Sequence, residues 1–254
     1  MDRNQLLEFL EDYTLKYNRP EFIENDPIQI PHQFSAKEDI EIAGFLAASI
    51  AWGQRPVIIR NTNRLMEMMD YAPADFVRNC SDTDLQVFDT FKHRTFQAVD
   101  MQFFISSLQN IYLNFGGLEK VFENGFTTNA KTALIEFNTL FNSISHLKRS
   151  EKHLSNPAKN SAAKRLNMYL RWMVRKDDSG VDFGIWRNIS PNKLMLPLDV
   201  HTSRIGRSLG LLLRKQNDWK AVTEITESLR SFDPNDPVKY DFALFGFGVN
   251  EKKQ

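Results

Sequence analysis

The sequence predicts an all-α fold, and three observations support that prediction. Apolar residues recur at intervals of three and four along most of the chain, which is the spacing of one helix face. No stretch that alternates apolar and polar residues is long enough to predict a strand. The 254 residues are 42% hydrophobic and 25% charged, an ordinary composition for a chain that buries a core.

The first predicted helix covers residues 2–17, and a proline-rich connector follows it. Ser35 and Glu38 then form a capping-box pattern, in which each side chain satisfies an amide at the start of the next helix. The same periodicity predicts further helices in the first part of the chain at 55–69, 100–115 and 130–147.

Helices also dominate the second part of the chain. A helix at 162–174 carries its apolar residues at the spacing of one face, and a loop at 176–197 follows it. Three more helices are predicted at 200–213, 218–231 and 237–249.

The composition argues against a membrane-spanning protein, a secreted protein and a protein with a cysteine-ligated metal. No apolar run is long enough to cross a membrane, and the first residues lack the basic start of a secretory signal, so no membrane partner is expected. Cys80 is the single cysteine, so neither a disulfide nor a cysteine-ligated metal is expected, and a reducing cytoplasm is the default compartment.

The net charge is zero, but the charges are unevenly placed. Residues 148–176 hold nine lysines and arginines against one acid, and residues 200–217 hold four against none. Such asymmetry predicts a basic face for a polyanion. The alternative is a solvated helix surface balanced by the acidic N-terminal segment.

Asp199 stands in the segment PLDVHTSRI at 197–205, after a proline and before an apolar-periodic helix. At this position its carboxylate can accept hydrogen bonds from the first amides of the helix, whose dipole also favours a negative charge there. A role as helix cap alone would explain the residue.

The segment resembles the pattern around the catalytic aspartate of helix-hairpin-helix base-excision DNA glycosylases. This resemblance implies that Asp199 caps the helix and also stabilises the positive charge that develops at deoxyribose C1′ when the glycosidic bond breaks. It places two further side chains of the same helix, His201 and Arg204, among the nucleic-acid contacts.

A second segment, IAGFLAASIAWGQ at 42–54, resembles the helix that in this family ends in Ser-Ala-Gln. The resemblance implies that Gln54 fills the gap left when a base is flipped out of the duplex. The alternative is an exposed glutamine at a helix end.

A third segment, SAAKRLN at 161–167, resembles the start of the helix that carries the lysine nucleophile of lyase-type members. The resemblance implies that Lys164 attacks C1′ as an amine. On a helix Lys164 shares a face with cations that disfavour its protonation or pair with DNA phosphates. We assign phosphate contacts to the arginines that follow, Arg165, Arg171 and Arg175. An ordinary surface lysine is the alternative.

The sequence departs from the family at the hairpin. The expected Leu-Pro-Gly-any-Gly is absent, and SNPAKN at 155–160 stands in its place, without the glycines that let the backbone approach a phosphate. The cysteines of the family's iron–sulfur loop are also absent, so no cofactor and no metal are expected. The chain also resembles a bacterial family without an assigned function, through KRLNMYLRWMVR at 164–175 and DFALFGFG at 241–248.

The resemblance implies a two-lobed helical fold of the helix-hairpin-helix glycosylase type. One lobe is expected at 35–195 and the other at 1–34 plus 196–254, with damaged double-stranded DNA in the cleft between them. The expected reaction is excision of a damaged base, by a glycosylase with or without AP-lyase activity. The alternatives are a non-catalytic nucleic-acid-binding protein on the same scaffold and an unrelated helical protein. The sequence does not define the oligomeric state.

Overall fold

The computed structural model describes residues 1–250, and this part of the chain is mostly helical, which confirms the all-α prediction. None of its helices has both the length and the apolar character that crossing a membrane requires. The α-helices in these residues are α1 Arg3–Tyr17, α2 Lys37–Ser49, α3 Arg55–Met68, α4 Pro73–Asn79, α5 Ala98–Asn114, α6 Leu118–Gly125, α7 Ala130–Phe141, α8 Lys164–Val174, α9 Val200–Ser208, α10 Trp219–Arg230 and α11 Asp241–Asn250. A two-stranded hairpin pairs β1 Lys92–His93 with β2 Phe96–Gln97.

The helices belong to two compact units. The terminal unit consists of Met1–Ile23 together with the described residues from 156 onward, and the central unit consists of Glu24–Ser155. The sequence-based division had placed residues 156–195 with the first lobe. They group instead with the chain termini, where the Trp219 amide donates to the Asn160 carbonyl at 3.3 Å and Arg171 in α8 bonds Asp241 in α11.

The core of the central unit surrounds α2, in which ten consecutive residues are buried. The rings of Phe45, Phe137 and Phe141 form a triangle with centroid distances of 5.5 to 5.6 Å. The capping box expected at the start of α2 is wrong. Ala36 is the N-cap residue and provides no side-chain hydrogen bond, while Glu38 instead accepts from Arg78 at 2.6 and 2.9 Å.

In the terminal unit, α11 packs against α1. The Tyr13 and Phe247 rings meet edge to face at 4.9 Å, and the Tyr240 hydroxyl donates to Glu11 at 2.7 Å. The two helices approach closely at Gly246, because a Cβ there would lie 2.2 Å from a ring carbon of Tyr17. This glycine therefore sets the distance at which α11 lies against α1.

Several helix ends differ from the sequence-based expectation. The predicted helix at 200–213 ends as α9 at Ser208, because Gly210 takes a φ of +76° and turns the chain so that the next two leucines are buried. The predicted helix at 130–147 ends as α7 at Phe141, and α11 begins at Asp241 rather than at 237. The short helices α4 and α6 and the hairpin were not predicted.

Candidate functional site

Asp199 is the N-cap residue of α9, as the sequence predicted. Its Oδ1 accepts hydrogen bonds from the amides of His201 at 2.8 Å and Thr202 at 2.9 Å. The carboxylate is half-buried, so part of its surface stays accessible to a reactant. Asp199 therefore combines a fixed orientation with an accessible negative charge.

Lys164 is the first residue of α8, which begins two residues after the predicted start at 162. The backbone before it is left-handed at two non-glycine residues, Asn160 with φ +62° and Ala163 with φ +47°. The turn at 155–163 therefore adopts a backbone conformation that glycine takes most easily, although it contains no glycine. Buried Asn167 steadies this turn, since its Nδ2 donates to the Ala162 carbonyl at 3.1 Å.

The Lys164 side chain is half-buried and extends along its own helix. Its Nζ lies 3.4 Å from the Met168 sulfur, a weak acceptor that leaves most of the hydrogen-bonding capacity of the amine for other partners.

Asp241, the first residue of α11, was not predicted as a site residue, and it joins the two predicted ones. It is 5% exposed and accepts from Arg171 Nη1 at 2.5 Å. Thr202 links it to Asp199, because the Thr202 amide donates to Asp199 while its hydroxyl lies 3.5 Å from Asp241 Oδ1. We call Lys164, Asp199 and Asp241 the Lys–Asp site; all three belong to the terminal unit.

The pKa of Asp241 depends on the charges of both Asp199 and Lys164. The pKa of Asp241 is raised to about 6, mainly by burial. The positive charge of Arg171 opposes this rise, the negative charge of Asp199 adds to it, and the positive charge of Lys164 opposes it. Buried Asp182 adds a smaller upward effect. Asp241 therefore changes charge close to neutral pH, which is typical of a functional position.

Arg171 and Arg175, to which the sequence analysis assigned phosphate contacts, are each only 3% exposed. Arg171 Nε donates to Asp182 at 3.3 Å, and Arg175 Nη1 donates to the same carboxylate at 3.1 Å. Arg175 also bonds Asp236 at 2.8 Å and forms an ion pair with Asp177. Their charges are engaged inside the terminal unit, which is not the geometry of phosphate contacts.

Replacing Arg171 with methionine is expected to lower the free energy of unfolding by about 3–5 kcal/mol, because Asp182 and Asp241 would lose a buried countercharge. Urea unfolding at pH 7 measures the effect. Arg187→Met, at an exposed arginine of the same unit, is the matched control and should change stability by less than about 0.5 kcal/mol. Equal stabilities of the two variants would contradict a structural role for the network.

The other predicted binding residues of the terminal unit lie around the Lys–Asp site. Arg165 is half-buried, and burial lowers the pKa of its guanidinium to about 10, so it stays charged at neutral pH. His201 Nδ1 lies 3.2 Å from the Gly248 carbonyl oxygen, and Arg204 Nη2 donates to that oxygen at 2.7 Å. Arg204 is nevertheless exposed, so its remaining donors face solvent.

Gln54 lies in the central unit. It is exposed and occupies the N-cap position of α3 without a side-chain capping bond. The expected location at the end of α2 is wrong, since α2 ends at Ser49 and Gly53, with φ +107°, turns the chain into α3.

The central unit holds a second polar cluster, around Asp100. Ser150 Oγ donates to Asp100 Oδ1 at 2.6 Å, and His153 Nε2 lies 3.3 Å from Oδ2. In a nucleophilic serine site the histidine contacts the serine, whereas here the carboxylate lies between them. Asp100 is fully buried in the first turn of α5, so the cluster fastens residues 148–153 to that helix.

The Lys–Asp site can perform two chemical tasks. A half-buried amine can act as a nucleophile when deprotonated, and the half-buried Asp199 carboxylate can stabilise positive charge on a bound reactant. Within residues 1–250, no cluster of three histidine, cysteine or acidic side chains has the geometry to hold a metal ion.

The fold and the site define a mostly helical protein whose terminal unit carries the Lys–Asp site. The chain belongs to the family described as "Protein of unknown function (DUF2400)", whose model matches residues 26–250. No curated protein matches the chain, and no solved structure does.

Proposed function

We propose that this protein is a DNA N-glycosylase with AP-lyase activity, which removes a damaged base from double-stranded DNA. The observation that supports it best is the Lys–Asp site. Lys164 and Asp199 come from two separate glycosylase-like segments, and the charges of both act on one buried carboxylate, Asp241. If Asp199 were only a helix cap and Lys164 only a surface lysine, there would be no reason for both charges to act on the same buried carboxylate.

In the proposed reaction, Asp199 stabilises the transition state. The bond between C1′ and the base nitrogen breaks with its electron pair leaving on the base, so positive charge develops at C1′ and the ring oxygen. The amides of His201 and Thr202 hold the carboxylate in place before the reaction, so little reorganisation is needed when the charge appears.

Lys164 supplies the nucleophile in this proposal. Its neutral amine forms a bond to C1′ as the base departs, and the nitrogen then releases a proton that neutralises the leaving base. The bond between C1′ and O4′ then breaks with its electron pair on O4′, which takes a proton from water, while the nitrogen lone pair forms the protonated Schiff base. Water removes a proton from C2′, and the freed electron pair forms the C2′–C3′ double bond as the bond from C3′ to oxygen breaks and the 3′-phosphate leaves.

A second candidate is a non-catalytic nucleic-acid-binding protein on the same scaffold. The replacement of the glycine hairpin by residues 155–160 favours it, because the turn there differs from the one that grips a phosphate. Under this alternative Asp199 is only a helix cap.

A panel of duplexes, each with one lesion, separates the candidates. The panel should include oxidised purines, oxidised pyrimidines, alkylated purines and uracil, with released base and duplex binding measured for each. We expect release from at least one duplex. Binding without any release would support the second candidate, and absence of binding to every duplex would overturn both.

The excision rate should fall as the pH drops through about 6, with Asp241 responsible for this acid limb. Above pH 6 its carboxyl is mainly ionised and adds negative charge beside the developing cation; below pH 6 it takes up a proton and that charge is lost. In Asp241→Asn the part of the acid limb that Asp241 causes should disappear, and the rate at pH 7 should be lower than that of the wild type.

Asp178→Asn is the control, because Asp178 is an exposed aspartate of the same unit. It should keep the wild-type profile. Thermal unfolding of both variants at each pH separates a loss of activity from a loss of structure. An unchanged acid limb in Asp241→Asn would assign the titration to another group.

A further inference from the structure

The hairpin of the central unit places an arginine beside the segment that carries Gln54. His93 pairs with Phe96, which leaves Arg94 and Thr95 as a two-residue turn. Arg94 has a φ of +54°, at a turn position where glycine, asparagine or aspartate is usual. A left-handed backbone is unfavourable for an arginine, and such strain is concentrated at functional positions.

The Arg94 side chain lies directly over Gly53. A Cβ on Gly53 would be 3.1 Å from Arg94 Cδ and 3.2 Å from Nη1, so any larger residue there would push the Arg94 side chain away from its present position. Gly53 itself has φ +107°, which other residues rarely adopt. Both residues are exposed, as is the adjacent Gln54, so the three form one accessible surface, which we call the Arg94 surface.

Hydrogen bonds of a buried side chain hold the hairpin that carries Arg94 in place. His93 is fully buried, with Nε2 3.0 Å from the Trp52 carbonyl oxygen and Nδ1 2.9 Å from Asn61 Nδ2. On the other side of the turn, Arg149 donates to the Thr95 carbonyl at 3.1 Å. The hairpin is thereby joined to the chain just before Gln54, so Arg94 and Gln54 keep a fixed spacing.

The charge of this surface is positive. The sequence contains no acid from 44 to 66 or from 91 to 99, and Arg94 forms no ion pair within residues 1–250. The α3 helix and the hairpin also carry three further exposed bases, Arg60, Arg64 and Lys92. An exposed guanidinium without an ion pair, carried on an anchored hairpin, suits a phosphate, which it can bind through two parallel hydrogen bonds.

We propose that Arg94 binds a backbone phosphate of duplex DNA next to the position where Gln54 enters the base stack. The identity of the partner rests on the function proposed above, while the contact itself is a separate claim. Arg94 would act as a positioning residue that fixes the register of Gln54, without touching the reacting atoms.

The test is DNA binding by Arg94→Gln, measured on a lesion-containing duplex at several salt concentrations. We expect the affinity to fall about 3- to 10-fold at low salt, and the slope of log Kd against log salt to fall by about one, as for one lost phosphate contact. Lys131→Gln removes an exposed charge of α7 in the same unit, and it should leave the slope unchanged.

Gly53→Ala changes no charge, but its Cβ displaces Arg94, so it should weaken binding and lower the slope in the same way. Circular dichroism and thermal unfolding confirm that the variants fold. If Arg94→Gln behaves like Lys131→Gln while the wild type binds and excises, this inference fails and the proposed function stands. A slope change in a protein that excises no base supports the surface and overturns the activity, whereas a wild type that binds no DNA overturns both.

Discussion

Replacing Asp199 with asparagine is expected to lower base excision by about 100- to 1000-fold, the loss typical when a group that stabilises transition-state charge is removed. The fold should persist. The asparagine oxygen can still accept from the amides of His201 and Thr202, so the start of α9 stays capped. The variant thus removes the negative charge without removing the cap.

Single-turnover excision on the best substrate of the lesion panel measures the loss. Asp2→Asn is the matched control, because Asp2 is likewise an aspartate that caps a helix of the terminal unit with its side chain. It should excise at the wild-type rate. If Asp199→Asn retains that rate as well, Asp199 is a helix cap only, and the proposed role in catalysis is overturned.

Replacing Lys164 with glutamine is expected to abolish covalent trapping on DNA. Borohydride transfers hydride to the carbon of the Schiff base, which turns the transient link between amine and sugar into a stable secondary amine. Without the Lys164 amine no such link forms. Binding should weaken only slightly, since one positive charge of many is lost.

Lys176→Gln is the control for this experiment, because Lys176 is an exposed lysine that follows α8 directly. It should trap as efficiently as the wild type. Trapping that survives in Lys164→Gln would assign the nucleophile to another amine. Excision by the wild type without trapping would make the protein a monofunctional glycosylase, in which Lys164 holds the DNA backbone.

The sequence placed two residues of the candidate site, Asp199 and Lys164, at helix starts, where local signals determine the structure. Pro197 and the apolar period after it identify the start of α9, and they do so within a few residues of Asp199. The same holds for Lys164, which precedes the most regular apolar stripe of the chain. Both placements were correct because helix starts depend on neighbouring residues.

The sequence could not predict contacts that depend on packing between distant segments. Arg171 and Arg175 share a polar stripe with Lys164, and nothing in α8 itself indicates that Asp182, Asp236 and Asp241 would cover two of the three cations. Asp241 was not predicted as a site residue for the same reason. It was predicted inside a helix beginning at 237, whereas α11 begins at Asp241 itself.

The discontinuity of the terminal unit has a consequence for biosynthesis. Helix α1 leaves the ribosome before the central unit, but its partner α11 is translated more than 200 residues after α1, a delay of roughly 10–45 s at ordinary elongation rates. The central unit is continuous in sequence and can fold during that interval. The ring contact between Tyr13 in α1 and Phe247 in α11 forms only afterwards. Because α11 also brings Asp241, a nascent chain completes its candidate site only after the whole central unit has been translated.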